Sequence, residues 1–334
     1  MSDIARVAGV SISTVSHVIN QTRPVAAATE NAVHAAMAQL GYVSSRQVRA
    51  QRLAGSHTIG VALSSITNPY FGEVVGALER SATAAGYTIL LADTHDQAGG
   101  EFRAVSDLAT RRVDAILLAP SPDPAPSLRV AQDNGVPVIL IDREGPEEFD
   151  QVVVSSAEPT ARLVDHLAEI GHVDIGMILP LRGLSTTEQR LEGYRTGLER
   201  NGLTYRDELV ISGEGTLEPA RVAIGELLEA PRKPTAVVVG NNHMTIGVMA
   251  GLRDRGLSVP EDIAVVAFDD FPWAEFFQPR LTVIAQPTQV IASEALRMTL
   301  ARIAVPGRPA EKLVLQPTLV HRESCGCTAA AAVL

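Results

Sequence analysis
The chain has 334 residues, a net charge of −10 and a composition that is 46% hydrophobic and 20% charged, with two cysteines. At roughly 100–200 residues per domain, this length supports two or three folding units with cores large enough to need no disulfide staples. The acidic balance excludes a surface that attracts nucleic acid everywhere, and no run of 18 apolar residues is available to span a bilayer.

The charge is uneven along the chain. Residues 1–57 carry five arginines (Arg6, Arg23, Arg46, Arg49 and Arg52) against Asp3 and Glu30, leaving −13 for the rest. A small basic head on an acidic body suits nucleic acid at one end, because phosphate attraction is local. Asp3 and Arg6 sit where a secretory signal would need apolar residues, so a cytoplasmic protein is expected.

Three helices are predicted at the start. Ser2 can cap a first helix that holds Ile4, Ala5 and Ala8 and stops at Gly9. Ser11 or Ser13 can cap a second, with Val15, Val18 and Ile19 on its inner face. A third runs from about Ala27 to Leu40 and buries Val33, Ala36, Met37 and Leu40. A helix, a turn at Gly9 and a second helix opening on small hydroxyl residues form the helix-turn-helix pattern. In that motif the second helix enters the major groove, which places Ile12, Ser13, Thr14 and His17 at base edges or phosphates. Residues 42–57, "YVSSRQVRAQRLAGSH", read as a linker or a conditional helix.

From Thr58 short apolar runs alternate with amphipathic segments: "TIGVAL", "YTILLAD", "DAILLAP" and "VPVILID", then "IGMILP", "ELVIS", "TAVVVG" and "DIAVVAFDD". Unalternating Val/Ile/Leu runs mean strands buried on both faces, hence parallel βαβ units. Two such series predict two doubly wound, Rossmann-like α/β lobes with a ligand crevice at the carboxyl ends of their strands. "LTVIAQP", a helix near 289–303 and "KLVLQPTLV" read as segments crossing back between the lobes. "SSITNPYFG" follows the first strand in place of a Gly-rich phosphate loop, so no nucleotide cofactor and no enzymatic role are expected. Cys325 and Cys327 could bind metal or form a disulfide, but no other cysteine can complete a tetrathiolate site, and no metal is expected.

Together, "DIARVAGVSISTVSHVIN", "TRPVAAAT", "NPYFGEVVGALE", "RRVDAILLAP", "VPVILIDR", "QRLEGYRTGL", "GLSVPEDIAVVAFDD" and "PRLTVIAQP" resemble the LacI/GalR family of bacterial transcription regulators over about residues 2–324. Within that family the head is most like that of the purine repressor. The resemblance implies a head at 1–43, a hinge at 44–57 and an effector-binding, dimerising core at 58–328 of the periplasmic-binding-protein type. Lobe one would take about 58–153 and 286–316, and lobe two about 154–285 and 317–328. It implies a homodimer on a palindromic operator in double-stranded DNA, and a small effector in the cleft. The alternative is a cytosolic small-molecule binding protein that no longer reads DNA specifically.

Residue by residue, the resemblance assigns base reading to Ile12, Ser13 and His17, and phosphate contact to Thr14, Ser16 and Arg23. Arg49, Gln51 and Leu53 are the DNA-contact candidates of the hinge. The family wedges a leucine into the minor groove there. That position is Gln51 here, with Leu53 nearby in another register, and Ser44 replaces the usual proline. Effector contacts fall on Tyr70, Phe71, Asp142, Arg143, Arg190, Asn241 and Asp269. Phe71 is equally suited to the core, and Trp273 could either stack on a sugar or simply pack. Leu184 and Gly215 stand where the purine repressor has an arginine and a ring-stacking phenylalanine. Ser155–Ser156 replaces the usual Asp-Asn. Purine recognition is therefore not expected, and the resemblance implies a polyol or sugar, or its phosphate, as the effector class.

Overall fold
The computed structural model describes residues 2–20, 23, 25–39 and 55–327. Two units emerge, 1–56 and 57–334. In the first, α1 (Ser2–Ala8), α2 (Ile12–Asn20) and α3 (Ala27–Gln39) enclose Ile4, Ala5, Val15, Val18, Val33, Ala36 and Met37. Gly9 ends α1 in the left-handed region, φ 66°, and the Val10 amide returns to the Ala5 carbonyl at 3.0 Å. That pairing satisfies a helix-end carbonyl, and only glycine enters the conformation without a steric cost. Ser11 caps α2, its Oγ accepting from the Thr14 amide at 3.1 Å. Ile19 and Leu40, predicted for this core, and the hinge residues Arg49, Gln51 and Leu53 lie outside the residues whose side chains are described.

The second unit holds two six-stranded sheets. The first comprises β1 (Thr58–Leu63), β2 (Thr88–Asp93), β3 (Ala115–Leu118), β4 (Val138–Asp142), β5 (Asp150–Val154) and β11 (Lys312–Leu315). Its order is β11-β5-β4-β3-β1-β2, parallel throughout. The second comprises β6 (Ile175–Leu179), β7 (Val210–Ser212), β8 (Ala236–Val239), β9 (Ala264–Phe268), β10 (Thr282–Ala285) and β12 (Thr318–Val320). Its order is β12-β10-β9-β8-β6-β7, with only β12 antiparallel.

Alternate residues of each strand feed different cores, as period-two geometry requires. In lobe one, Ile59, Val61, Leu117 and Ile139 pack under α4 (Pro69–Ala84) and α11 (Thr288–Ala304). Ala62, Ile116, Leu118 and Leu140 pack under α5 (Ala98–Thr110) and α6 (Ala125–Asp133). In lobe two, Ile178, Val237 and Val265 face α9 (Leu217–Leu228) and α10 (Asn242–Asp254). Met177, Val238 and Phe268 face α7 (Ala157–Glu169) and α8 (Ser185–Arg200). α7 and α8 approach so closely that a Cβ at Gly193 would lie 2.0 Å from the Ala157 carbonyl oxygen.

One detail departs from the sequence reading. Asp150–Val154 is a buried strand absent from the apolar runs picked out above; its Asp150 carboxylate is held by Arg302 Nε at 2.8 Å and the Glu311 amide at 2.8 Å. "KLVLQPTLV" divides around Gln316–Pro317 into two strands that join different sheets. The chain therefore crosses between lobes three times: after β5, after β10 and between β11 and β12.

Candidate functional sites in the head and the cleft
In the head, α2 turns Val15 and Val18 inward, which leaves Ile12 and Ser13 exposed at its first turn. Ile12 is 55% exposed, an apolar tip with no core to enter. The Ser11 hydroxyl lies 2.8 Å from both the Ser13 and the Thr14 hydroxyls. These three groups form one small donor–acceptor cluster at the positive end of the helix dipole. Ser16 and His17 follow one turn on, half-buried, and no acidic residue stands in the first turn. Arg23 is exposed beyond the helix. The apolar tip, hydroxyls and imidazole are groups that meet thymine methyls, base edges and phosphates.

In the core, the carboxyl ends of both sheets open on a cavity of about 490 Å³. Tyr70, Phe71, Asp142, Arg143, Arg190, Asn241 and Asp269 all line it, as do Leu184 and Gly215. Trp273 does not: it is 45% exposed and packs edge-on against Phe271, ring centroids 5.4 Å apart. A short 3-10 turn at Pro272–Phe276 carries the indole away from the cleft.

The two lobes offer matched residues. Asp142 ends β4 with φ 67°, and Asp269 follows β9 with φ 73°. Aspartate tolerates this left-handed backbone better than most residues, and buried outliers of this kind cluster at functional sites. Asparagines cap the helices at the cleft on both sides. Asn68 Oδ1 accepts from the Tyr70 amide at 2.9 Å to start α4, and Asn241 Oδ1 from the Met244 amide at 2.8 Å to start α10. Asn241 also donates to the Gly215 carbonyl at 3.1 Å.

On the lobe-one side the polar groups are already engaged. Arg143 pairs with both Asp96 oxygens and donates to the Pro120 carbonyl at 3.1 Å and Ser64 Oγ at 3.2 Å, with Asp142 Oδ2 3.5 Å from its Nε. The Tyr70 hydroxyl donates to Asp142 Oδ1 at 2.8 Å. Burial, reinforced by the Asp142 and Asp269 charges, holds that phenol well above its ordinary range, so it remains a donor. On the lobe-two side Arg190 makes one hydrogen bond, from Nη1 to the Gly240 carbonyl at 2.6 Å, and stacks 3.9 Å from the centre of the Phe268 ring. Its buried Nε, like that of Arg143, has no hydrogen-bond partner among the described residues. Asp269 accepts from Gln286 Nε2 at 2.6 Å. Burial pushes its carboxyl up to about 6, although the Arg190 charge pulls the other way.

Sequence reasoning missed Asp96, Ser64 and Gln286, which support these residues. Asp96 comes three residues after β2, where the strand-end rule points, but its pairing with Arg143 spans 47 positions.

A helix-turn-helix unit and a two-lobed α/β receptor in one chain define a ligand-responsive, DNA-binding regulator. Residues 1–45 match the family described as bacterial regulatory proteins, lacI family, and residues 164–325 match the periplasmic binding protein-like domain. The HTH-type transcriptional repressor PurR of Pectobacterium carotovorum subsp. carotovorum (strain PC1) is 34% identical over 327 residues, covering 97% of this chain and 96% of its own. The ribose operon repressor of Escherichia coli (strain K12) is 35% identical over 330 residues, covering 97% and 99%. The lac repressor dimer bound to operator and the anti-inducer ONPF superposes with a TM-score of 0.72 at 28% identity, covering 97% of this chain and 98% of its own. The chain belongs to the LacI family of bacterial transcriptional regulators. Among the described residues no helix is long and apolar enough to cross a membrane.

Proposed function
We propose that the protein represses transcription as a homodimer on a palindromic operator and that a neutral, polyhydroxylated effector of the sugar class controls it from the cleft. Ile12, Ser13 and His17 read bases; Thr14, Ser16, Arg23 and Arg49 hold phosphates; Gln51 or Leu53 meets the minor groove from the hinge at 44–57. Tyr70, Phe71, Asp142, Arg143, Arg190, Asn241 and Asp269 form the effector site. Two relatives at nearly equal identity carry a purine name and a ribose name, so overall likeness does not choose the effector class. The cavity lining supports the sugar class.

The carrying observation is that Arg190 and Asp269 line the same cavity as Asp142 and Arg143. Forked donors beside carboxylate acceptors match the alternating donor and acceptor character of vicinal hydroxyls. Asp93, Asp96, Asp142, Glu214 and Asp269 outnumber Arg143 and Arg190 around the cavity, which disfavours a phosphorylated effector. Leu184 and Gly215 supply neither the cation nor the ring that would clasp a purine. Effector binding couples to DNA binding because it favours one arrangement of the lobes, and the coupling is reciprocal.

The test is to capture binding sites from fragmented genomic DNA at near-physiological salt and then titrate the recovered site with free pentoses, hexoses and purines. A recurrent palindrome whose occupancy changes with a free sugar is the expected result. Capture that is salt-sensitive but blind to sequence overturns the operator reading, and a response to purines alone overturns the effector class.

A further inference from the structure
The C-x-C pair looks incomplete in the sequence, yet the fold completes it. The segment after β12 carries His321, Cys325 and Cys327 back against α7, where His166 occupies the last turn. One ligand atom from each of the four lies within 4.8 Å of all the others. Four of the cluster's six edges are Nε2 to Nε2 of the histidines at 3.1 Å, Sγ to Sγ at 3.5 Å, and His321 Nε2 to the two sulfurs at 3.4 and 2.9 Å. Zinc–sulfur bonds of about 2.3 Å and zinc–nitrogen bonds of about 2.0 Å, set tetrahedrally, give edges of about 3.8 Å for S···S, about 3.5 Å for S···N and about 3.3 Å for N···N. The four edges are slightly shorter than these, and the two from His166 to the sulfurs fall within 4.8 Å.

We propose that His166, His321, Cys325 and Cys327 form a closed, structural zinc site that fastens the segment after β12 to lobe two. Two thiolates and two imidazoles suit a soft or borderline ion, and no carboxylate is among the four to favour calcium or magnesium. Cys325 is fully buried, so the site has protein on its inner side. The Thr282 hydroxyl approaches Cys325 Sγ at 3.4 Å, the outer hydrogen bond that metal-bound thiolates receive.

The framework is rigid independently of any ion. Ser324 Oγ donates to the Val265 carbonyl at 2.6 Å and accepts from the Thr282 amide at 2.8 Å, anchoring the segment to β9 and β10. Gly326 adopts φ 81° between the two cysteines. A bulkier residue would be strained there, and the turn lets both thiols converge. None of the four ligands lines the effector cavity. Binding leaves the metal's oxidation state unchanged and displaces the two thiol protons to solvent.

The full-length protein, purified reduced from zinc-replete cells, is desalted and its metal counted by mass spectrometry. Expected is close to one zinc per chain, removed by a strong chelator and restored by zinc alone. Replacement by cobalt(II) should produce the intense visible bands of a tetrahedral thiolate site. Cys327→Ser, at the more exposed sulfur, should weaken zinc at least as much as losing an outer-shell partner does, roughly 10–100-fold. It should also abolish the rise in melting temperature with zinc concentration that the unaltered protein shows. Reduced protein that neither retains zinc nor produces the cobalt bands overturns the site. So does a folded Cys327→Ser protein that holds zinc as tightly as the parent. The cobalt spectrum of the parent decides the matter even if the variant does not fold.

Discussion
The two halves of the cleft are built from the same parts and finished differently. Each has an aspartate in left-handed backbone at a strand end, an arginine close by and an asparagine capping the adjacent helix. In lobe one Arg143 is enclosed by Asp96, Asp142, Ser64 and the Pro120 carbonyl, and Tyr70 occupies Asp142. In lobe two Arg190 makes a single hydrogen bond, and burial raises the Asp269 carboxyl to about 6. A group with most of its bonds made within the protein mainly supports the wall of a site. A group with donors to spare, or one whose charged form burial penalises, gains more when a ligand arrives. On the proposed reading, the difference gives lobe one more of the architecture and lobe two more of the ligand grip.

The most severe challenge to that contrast is Arg143→Met. Removing one member of a buried ion pair leaves its partner uncompensated, a loss of about 3–5 kcal/mol that urea unfolding would register. A loss under about 1 kcal/mol would mean that Arg143 is no more structural than its counterpart. Arg190→Met should do the reverse. Calorimetry should find effector affinity lowered about 10–100-fold for each charge-assisted bond lost, at roughly 1.5–3 kcal/mol apiece, with the unfolding midpoint changed less than in Arg143→Met.

Asp269 sharpens the comparison through pH. Its folded carboxyl at about 6 lies above its ordinary 3.8. Its contribution to the effector-free fold is therefore present below 3.8 and is lost as pH rises through about 6. A hydroxyl-bearing effector prefers the ionised acceptor. Affinity should thus climb as pH rises through about 6, by about tenfold for each unit below it, and level off above. Asp269→Asn should flatten the profile, and a profile unchanged by that substitution would take the effector away from Asp269. The smallest effect is expected of Trp273→Ala, which should leave effector affinity within about 0.5 kcal/mol because the indole packs outside the cavity.

Much of this architecture was legible before any coordinates. Continuous apolar runs marked nearly every buried parallel strand, because burial on both faces removes the alternation that polar residues would otherwise impose. β5 escaped notice because Asp150 and Gln151 make it look like a loop. Both are buried, and Asp150 is satisfied by Arg302 and the Glu311 amide from much later in the chain. The cleft residues at strand ends were readable from position, whereas the partners that decide their roles were not. Nothing in "DREG" reveals that Arg143 will be surrounded by Asp96 and Ser64. Cys325 and Cys327 were visible, but His166 lies 155 positions from His321 and had no reason to be grouped with them. Trp273 misled because proximity to a strand end in sequence ignores the 3-10 turn that carries it aside.

The triple crossing between lobes has a consequence for how the chain is made. β11 and β12 are the last strands in chain order, and each is an edge of a different sheet. On the ribosome, then, neither lobe can close its sheet until residues 312–320 have left the exit tunnel, even though most of both lobes has emerged by then. Each nascent lobe waits with β5 or β10 bare along one edge, a template for pairing with a neighbouring chain. A truncated product lacking these few residues would lose an edge strand from both lobes at once.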